Sequence, residues 1–581
     1  MKILILGSGG REHALAEAIA KNGHNVTICP GNGGMAKFFE CVDGDILNGT
    51  EVIELAKNIQ VDLVIIGPEA PLVVGVADAL RKAGFATFGP NQKAAMLEGS
   101  KIFAREFMDK AGVKQPSFDA CDTIAAVEQA LKKRNTPYII KADGLAAGKG
   151  VIVTDDYAHA LAESKQILEG RFGKDNTQIL VEDGLTGQEI SLFVLTDGKS
   201  YHILPTCQDH KRIFDGDKGP NTGGMGAVCP VTWVSDSLMD KMVTQIVEPT
   251  INGLKQQDID FCGVIFIGIM VDDNGQPWVL EYNTRFGDPE TEILLPALDE
   301  DWADIFYKIA TRKLGEYRFK AQPKSAATVI LAAENYPDTP KINEILADYP
   351  TLNPNQKLYY AGVKKDENGQ LVTAGGRVLA ATGLGNNLKE ALQNAYVLAR
   401  NQQFNKAQMR HDIGEKLISK SPKIGIIMGS ASDVPLLDKC VNILKEFDIA
   451  FEGKVASAHR TPEDVANWVQ AAPQKGIEVI IAAAGLSAAL PGVVAAHTTL
   501  PVIGLPVKSG ALDGVDALYS IAQMPPGVPV ASVGIDGAVN AALQAIRICA
   551  INDNALTQKL KDYAEKAADK VKSSNSAIDH W

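Results

Sequence analysis

Short apolar runs rich in Val, Ile and Leu recur along the chain. Each is closed by glycine, proline or aspartate and followed by a stretch with apolar residues at helical spacing. KILIL, VDLVIIGPE, TPYIIKADG, QILVED, CGVIFIGIMV, KIGIIMGS and IEVIIAAAG are the clearest predicted strands. Runs apolar on both faces, alternating with helices, predict sheets covered by helices, so the expected fold class is a multidomain α/β protein. Residues 1–97 read as an open α/β domain. Over residues 98–320 the pattern is mixed, with an antiparallel pair in ISLFVLTDGKSYHIL, where Asp197-Gly198 suits a hairpin turn. A smaller strand-rich piece is expected at 321–417, and a polar linker at 418–422 ends it. KIGIIMGSASD then restarts strand, loop and helix, so residues 423–581 read as a separate domain. The most apolar window, Val479 to Leu500, is long enough to raise a membrane span. It is broken by Gly485, Pro491 and Gly492, which predicts a strand, a tight turn and a packed helix instead. A last helix is expected over about Ala555 to Lys572.

Composition narrows the partners. A chain of 581 residues with 46% hydrophobic and 22% charged residues is globular and long enough for several domains. The net charge is −13, of which −10 falls before Lys423 and −3 from Lys423 onward. Neither part has the basic footprint of a nucleic-acid or anionic-membrane binder, so an anionic substrate must be met by glycine loops and a few local cations. The 8 cysteines form no CxxC pair, which argues against a disulfide framework or a zinc site. The apolar run in MKILILGSGGREH is too short for a signal peptide, and a cytoplasmic protein is expected.

Candidate chemistry sits at strand ends. Gly7-Ser-Gly-Gly-Arg-Glu-His13 follows a strand and opens a helix, so its backbone N–H groups can face phosphate. It fails as a dinucleotide fingerprint, because Glu12 takes the place of the third glycine and no acid ends the second strand; a dehydrogenase is thereby disfavoured. Gly67-Pro68-Glu69 ends another strand at what should be the same sheet edge. Lys141-Ala-Asp-Gly-Leu-Ala-Ala-Gly-Lys-Gly150 sets two lysines, Lys141 and Lys149, around a small-residue loop containing Gly148, which suits a triphosphate but lacks the Walker spacing. In Glu281-Tyr-Asn-Thr-Arg-Phe-Gly-Asp-Pro-Glu290, Glu281 and Asn283 are two apart. On a strand they share a face and can hold Mg²⁺, whose remaining ligands are waters and phosphates.

SGGREHAL, GPEAPLV, LEGSK, KADGLAAGKGV, DHKR, GPNTGGMGA, EYNTRFGDPET and GGRVL occur in this order over residues 1 to about 420. This ordered set resembles the phosphoribosylamine–glycine ligase (glycinamide ribonucleotide synthetase) family of ATP-grasp enzymes. The resemblance implies an ATP-grasp domain at 98–320 and the substrates ATP, glycine and 5-phosphoribosylamine, with Mg²⁺ or Mn²⁺ as cofactor. It further implies that Lys101, Lys141, Gly148, Lys149, Glu182 and Glu189 hold ATP, and that Glu281 and Asn283 hold the metal. Arg285 and Asp288 would orient glycine and the acyl phosphate. Gly9, Gly10, Arg11 and Glu69 would bind phosphoribosylamine, while Asp209, His210, Lys211 and Gly223-Gly224-Met225-Gly226 close over the site. One departure is Gly184, where a bulky apolar residue is expected in the adenine hinge.

In the last domain, GSASD, SAHRTP, ALPGVVAAHT, GVDALYSIAQMPPGVPV and an alanine-rich helix resemble the carboxyaminoimidazole ribonucleotide mutase family over about 423–570. The resemblance implies a flavodoxin-like or Rossmann-like three-layer αβα fold and carboxyaminoimidazole ribonucleotide as substrate, with no cofactor. Ser430, Ser432, Asp433 and Arg460 would hold the ribose phosphate, and His459 would exchange the proton. A homo-oligomer built through this domain, an octamer as in relatives, is also implied. Arginine in SAHRTP matches the mutase class, whereas Ala489 stands where histidine is common. Direct carboxylation of aminoimidazole ribonucleotide with CO₂, or a non-catalytic oligomerisation module, remain the alternatives.

Overall fold

The structure, a computed structural model, describes residues 1–144, 150–171, 178–320 and 323–573. The chain forms two compact units, Met1–Glu415 and Lys416–Trp581.

The first unit opens with a five-stranded parallel sheet ordered Glu40–Cys41, Asn25–Pro30, Lys2–Gly7, Leu63–Ile66 and Thr87–Phe88. Lys2–Gly7 is central, with Leu6 level with Ile66 on the neighbouring strand. The loops that leave these two strands, Ser8–Gly9 and Gly67–Pro68, therefore diverge from one point on the sheet's carboxyl edge, where open α/β sheets bind ligands. Two antiparallel four-stranded sheets follow. One is ordered Phe118–Cys121, Ile179–Glu182, Tyr138–Ala142, Val151–Thr154, and the other Tyr201–Ile203, Gln188–Thr196, Gly263–Val271, Pro277–Asn283. Gln188–Thr196 and Tyr201–Ile203 make the hairpin around Asp197-Gly198. A further five-stranded sheet is ordered Gln208–Asp209, Gly226–Cys229, Ser325–Ala332, Arg377–Gly385, Gln356–Tyr360. This sheet runs across the division expected at 320/321. Two of its strands end almost a hundred residues before the next begins, at Cys229 and Ser325, a pairing that no local periodicity can announce. One buried core joins Ile3, Ile5 and Ile65 of the first sheet to Phe88, Phe286, Trp302 and Phe306, so the parts share one interior.

The second unit is a parallel sheet ordered Phe451–Val455, Ile424–Met428, Val479–Gly485, Val502–Val507, Ala531–Ser532, which is the flavodoxin-like order. Alternate residues of the strand Ile424–Met428 serve opposite faces. Ile426 packs with Leu437, Leu444 and Ala541 on one side, and Ile427 with Val465, Trp468 and Val494 on the other. The window from Val479 resolves into the strand Val479–Gly485 and the helix Ala489–Ala496. No described helix is long and apolar enough to cross a membrane.

Candidate active sites

In the strand Pro277–Asn283 and the turn after it, Tyr282, Thr284 and Phe286 are buried while Glu281, Asn283 and Arg285 are only partly covered. The period-two alternation of an extended chain puts these three polar side chains on one face. Burial works against ionisation of Glu281, but Lys211, Lys141, Lys101 and Arg285 outweigh it and hold its carboxyl below the usual range. One carboxylate and one amide oxygen, ringed by cations that suit phosphate, fit a magnesium ion that keeps water and phosphate ligands. Among the described residues no cluster of three or more His, Cys, Asp or Glu side chains offers a closed metal cage.

Lys141 lies near the end of the strand Tyr138–Ala142 and is 5% exposed. Its Nζ is 2.8 Å from Glu182 Oε2 and donates to the Leu280 carbonyl at 3.0 Å, which brings it beside Glu281. Glu182 is 2% exposed, and Arg105 donates to its two oxygens at 2.6 and 2.8 Å. Burial opposes the Glu182 charge, yet Lys141 and Arg105 more than offset it, so its carboxyl stays ionised. Both Glu182 oxygens are thus committed to cations. Lys101 begins the helix Lys101–Ala111, which Ser100 caps, and donates to the Gly144 carbonyl at 3.1 Å. Gly148 and Lys149 lie outside the described residues. Glu189 receives Lys211 Nζ at 2.5 Å. Asp209, between these groups and Glu290, is pushed up to about 7, mainly by burial and then by the carboxylates of Glu290, Glu189 and Glu281.

A second polar cluster fills the edge of the first sheet. Arg285 bridges Glu69 (3.3 Å) and Glu98 (2.9 Å) and donates to Asn283 Oδ1 at 3.3 Å, which ties the end of Pro277–Asn283 to the strand end at Gly67-Pro68-Glu69. Arg11 donates to Glu12 at 2.6 Å and to the Phe286 carbonyl at 3.1 Å. Glu12, the residue that spoils the dinucleotide fingerprint, accepts the Gly9 N–H at 2.7 Å. Its carboxylate lies where a Cβ on Gly67 would overlap it, so glycine there is a packing requirement. Asp288 is held by Arg377, whose Nη1 lies 3.1 Å from Asp288 Oδ1 and also donates to the carbonyls of Asp288 (2.8 Å) and Gly223 (2.6 Å). A Cβ on Gly223 would meet that guanidinium at 2.9 Å, and Gly224 adopts φ +112° against Pro289. The unexpected Gly184 has a local cause: a side chain there would overlap the Pro137 carbonyl.

In the second unit Met428 is level with Val455, so the loops after these adjacent strands meet. The first carries Ser430, Ser432 and Asp433, with Ser432 Oγ 2.9 Å from Ser430 Oγ and 3.4 Å from Asp433 Oδ1. The second carries His459 and Arg460; Arg460 Nη2 donates to the Gly429 carbonyl at 3.2 Å, joining the loops. Burial, opposed by Ser432, raises the Asp433 carboxyl, and the His459 side chain is exposed.

Family models match most of both units. The phosphoribosylglycinamide synthetase N domain matches residues 1–98, its ATP-grasp (A) domain 99–291 and its C domain 326–416. Phosphoribosylamine–glycine ligase of Agrobacterium fabrum is 42% identical over 422 residues, covering 72% of this chain and 99% of that protein. The chain belongs to the phosphoribosylamine–glycine ligase family. The ligase of Neisseria meningitidis serogroup B is 39% identical over 424 residues, covering 72% of this chain and 100% of that one. A crystal structure of the Thermotoga maritima ligase superposes with TM-score 0.63 at 33% identity, covering 71% of this chain and 100% of that one. The AIR carboxylase model matches residues 423–570, so a second enzyme family occupies the part of the chain that these ligases lack.

Arg105, Glu98, Arg377 and Glu290 join the ligase-family cluster without having been singled out in sequence. Glu98 and Arg377 lay inside quoted motifs, LEGSK and GGRVL. The signal for Arg105 was a cation on the apolar face of KIFAREF, which is costly unless a buried acid meets it.

Proposed function

We propose that this chain is a bifunctional enzyme of purine biosynthesis. The first unit joins glycine to 5-phosphoribosylamine at the expense of ATP, and the second converts N5-carboxyaminoimidazole ribonucleotide to 4-carboxy-5-aminoimidazole ribonucleotide. The observation that carries the first reading is the meeting of Lys141, Glu281, Asn283 and Arg285 on adjoining strand ends, next to the glycine turn of the first sheet.

A carboxylate is a poor electrophile at neutral pH. Phosphorylating glycine gives glycyl phosphate and ADP; the amine of phosphoribosylamine then attacks the acyl carbon, phosphate leaves with the C–O bond electrons, and the amine's proton is released. Glu281 and Asn283 would hold a magnesium ion, which would supply charge neutralisation for the transferring phosphoryl group. Lys141 and Lys101 place fixed positive charge on the triphosphate, with Lys141 held by Glu182. Arg285 orients the glycine carboxylate, and Asp288, fixed by Arg377, faces the amino end. The Gly10 N–H and the Arg11 guanidinium receive phosphoribosylamine, the Gly9 N–H being held by Glu12, and the segment from Asp209 to Gly226 excludes water from the acyl phosphate. Glu281→Ala tests this: glycine-dependent ADP formation should vanish while the second activity persists, and surviving ADP formation would refute the metal assignment.

For the second unit, arginine at position 460 in SAHRTP, the residue of the mutase class, supports the mutase reading over direct carboxylation. The carbamate loses CO₂, C4 of the imidazole recaptures it, and His459 protonates the departing nitrogen and takes the C4 proton. A mutase turns over without added bicarbonate; dependence on bicarbonate would establish the carboxylase instead. The exposed side chains of Leu486, Leu512, Val515 and Tyr519 fit a surface covered by further copies in a homo-oligomer such as an octamer. A cytoplasmic enzyme with small-molecule substrates and no nucleic-acid or membrane partner completes the reading.

A further inference from the structure

The hairpin Arg212–Phe214/Lys218–Asn221 projects from the segment between Asp209 and Gly226, yet little of its own structure holds it. Its two strands pair only at Arg212–Asn221 and Phe214–Lys218, with a register shift between, and the Phe214 side chain is 54% exposed. Ile213 is its buried apolar anchor, packed with Met225 and Ala332. Order comes instead from the last stretch of the first unit, Gln408–Gly414, almost 200 residues further along the chain.

Arg410 is 1% exposed and makes four bonds there. It donates to the two carboxylate oxygens of Asp412 at 2.8 and 2.7 Å, to Asp217 Oδ1 at 2.7 Å and to the Arg212 carbonyl at 3.2 Å. Asp412 in turn accepts the Gly216 N–H at 2.8 Å, and Asp215 accepts the His411 N–H at 2.8 Å. Every residue of the tip from Asp215 to Asp217 is thus tied to residues 410–412. At the base of the hairpin, the Gly414 N–H donates to His210 Nε2 at 3.1 Å, and Ile413 packs where a Cβ on Gly226 would collide. The base closes on itself too, since Thr222 donates to the Lys211 carbonyl through its N–H (2.7 Å) and its hydroxyl (2.8 Å). Lys211 holds Glu189, so a shift of the hairpin is passed directly to the group beside Glu281.

We propose that Arg410, Asp412 and Asp217 form a latch that positions the hairpin and, through Lys211 and Thr222, keeps water away from the acyl phosphate. The latch residues touch no substrate; they are positioning residues for the ligase. The inference rests on the reading of the Asp209–Gly226 segment as a wall of the ligase site.

The test uses the full chain and compares ADP formed with glycinamide ribonucleotide formed. Escaping glycyl phosphate reacts with water to give glycine and phosphate, so ADP then exceeds product. Arg410→Lys keeps the charge, but a single ammonium cannot replace a guanidinium that is forked onto Asp412 and reaches Asp217. Product formation should fall about 10- to 100-fold, the scale of a small misplacement near reacting groups. ADP formation should fall less, so the ratio rises above one. Asp217→Asn, at a side chain 40% exposed, leaves the Arg410–Asp412 pair in place and should raise the ratio more mildly if Arg410→Lys does not fold. The double variant should be no worse than Arg410→Lys, because both act through one latch. Mutase activity of the same samples reports intact folding of the second unit. A ratio that stays at one in both single variants, with or without a lower melting temperature, would overturn the latch. Lys211→Met separates the two levels: if it leaves product formation unchanged, the underlying reading of the wall is wrong.

Discussion

Removing the Arg105 guanidinium while keeping its hydrocarbon bulk, as in Arg105→Met, attacks the buried support of Lys141, the lysine proposed to hold ATP. The side chain is 2% exposed and donates to both Glu182 oxygens, to the Val279 carbonyl at 3.0 Å and to the Leu280 carbonyl at 2.8 Å. Methionine fills the space but leaves Glu182 with Lys141 as its remaining cation. Breaking a buried pair from one side costs about 3–5 kcal/mol, because the surviving charge stays desolvated. The first unit spans residues 1–415, and unfolding entropy of about 2.1 cal/mol/K per residue amounts to about 0.9 kcal/mol/K. The expected fall in its melting temperature is therefore about 3–6 °C, with the second unit's transition unmoved. Lys141 should also swing toward the lone carboxylate, raising KM for ATP. Differential scanning calorimetry of the full chain reads the first effect and coupled ADP assays the second. Glu182→Gln alone leaves Arg105 and Lys141 buried without their shared acid, so the Arg105→Met/Glu182→Gln double variant should lose less than the sum of the two single losses. A shift below about 1 °C, or a double variant that simply adds both losses, would refute the buried triad.

Two further outcomes follow from other buried or reactive groups. Burial pushes His13 down to about 3, and its Nδ1 accepts the Tyr360 N–H at 2.9 Å, so it folds as the neutral ring. A depressed folded value means that stability is present above the unfolded value of about 6.5 and lost as pH falls toward 3, with roughly 2 kcal/mol gone by pH 5; His13→Gln should flatten that acid branch of the melting temperature, and an unchanged slope would contradict it. His459→Asn keeps polarity but cannot exchange a proton, so second-unit turnover should drop about 10²–10⁴-fold with nucleotide affinity nearly unchanged; retained turnover would remove His459 from the mechanism.

The α/β class and the placement of loops at strand ends were legible because both are local. Strand runs such as Lys2–Gly7 and Val479–Gly485 are apolar on both faces, and glycine or aspartate ends them. Glu281 and Asn283 were paired in sequence by the two-residue period alone, and the structure puts them on one face of Pro277–Asn283. What stayed hidden is long-range. Arg105 finds Glu182 77 residues away, Arg410 finds Asp217 193 residues away, and Arg377 reaches Gly223 across 154. Nothing in a heptad or strand window encodes such partners; a buried arginine announces only that some acid must meet it. The sheet that joins Gly226–Cys229 to Ser325–Ala332 has the same origin, since antiparallel pairing at that separation is chosen by the shared core.

The central claim is that glycine is activated as its phosphate in the first unit. Glycine labelled with oxygen-18 in both carboxyl oxygens, turned over with ATP and phosphoribosylamine, tests this by mass spectrometry of the released phosphate. One labelled oxygen should appear in each phosphate, because the acyl C–O bond breaks after the P–O bond to that oxygen has formed. Phosphate free of label, with glycinamide ribonucleotide still produced, would contradict the account.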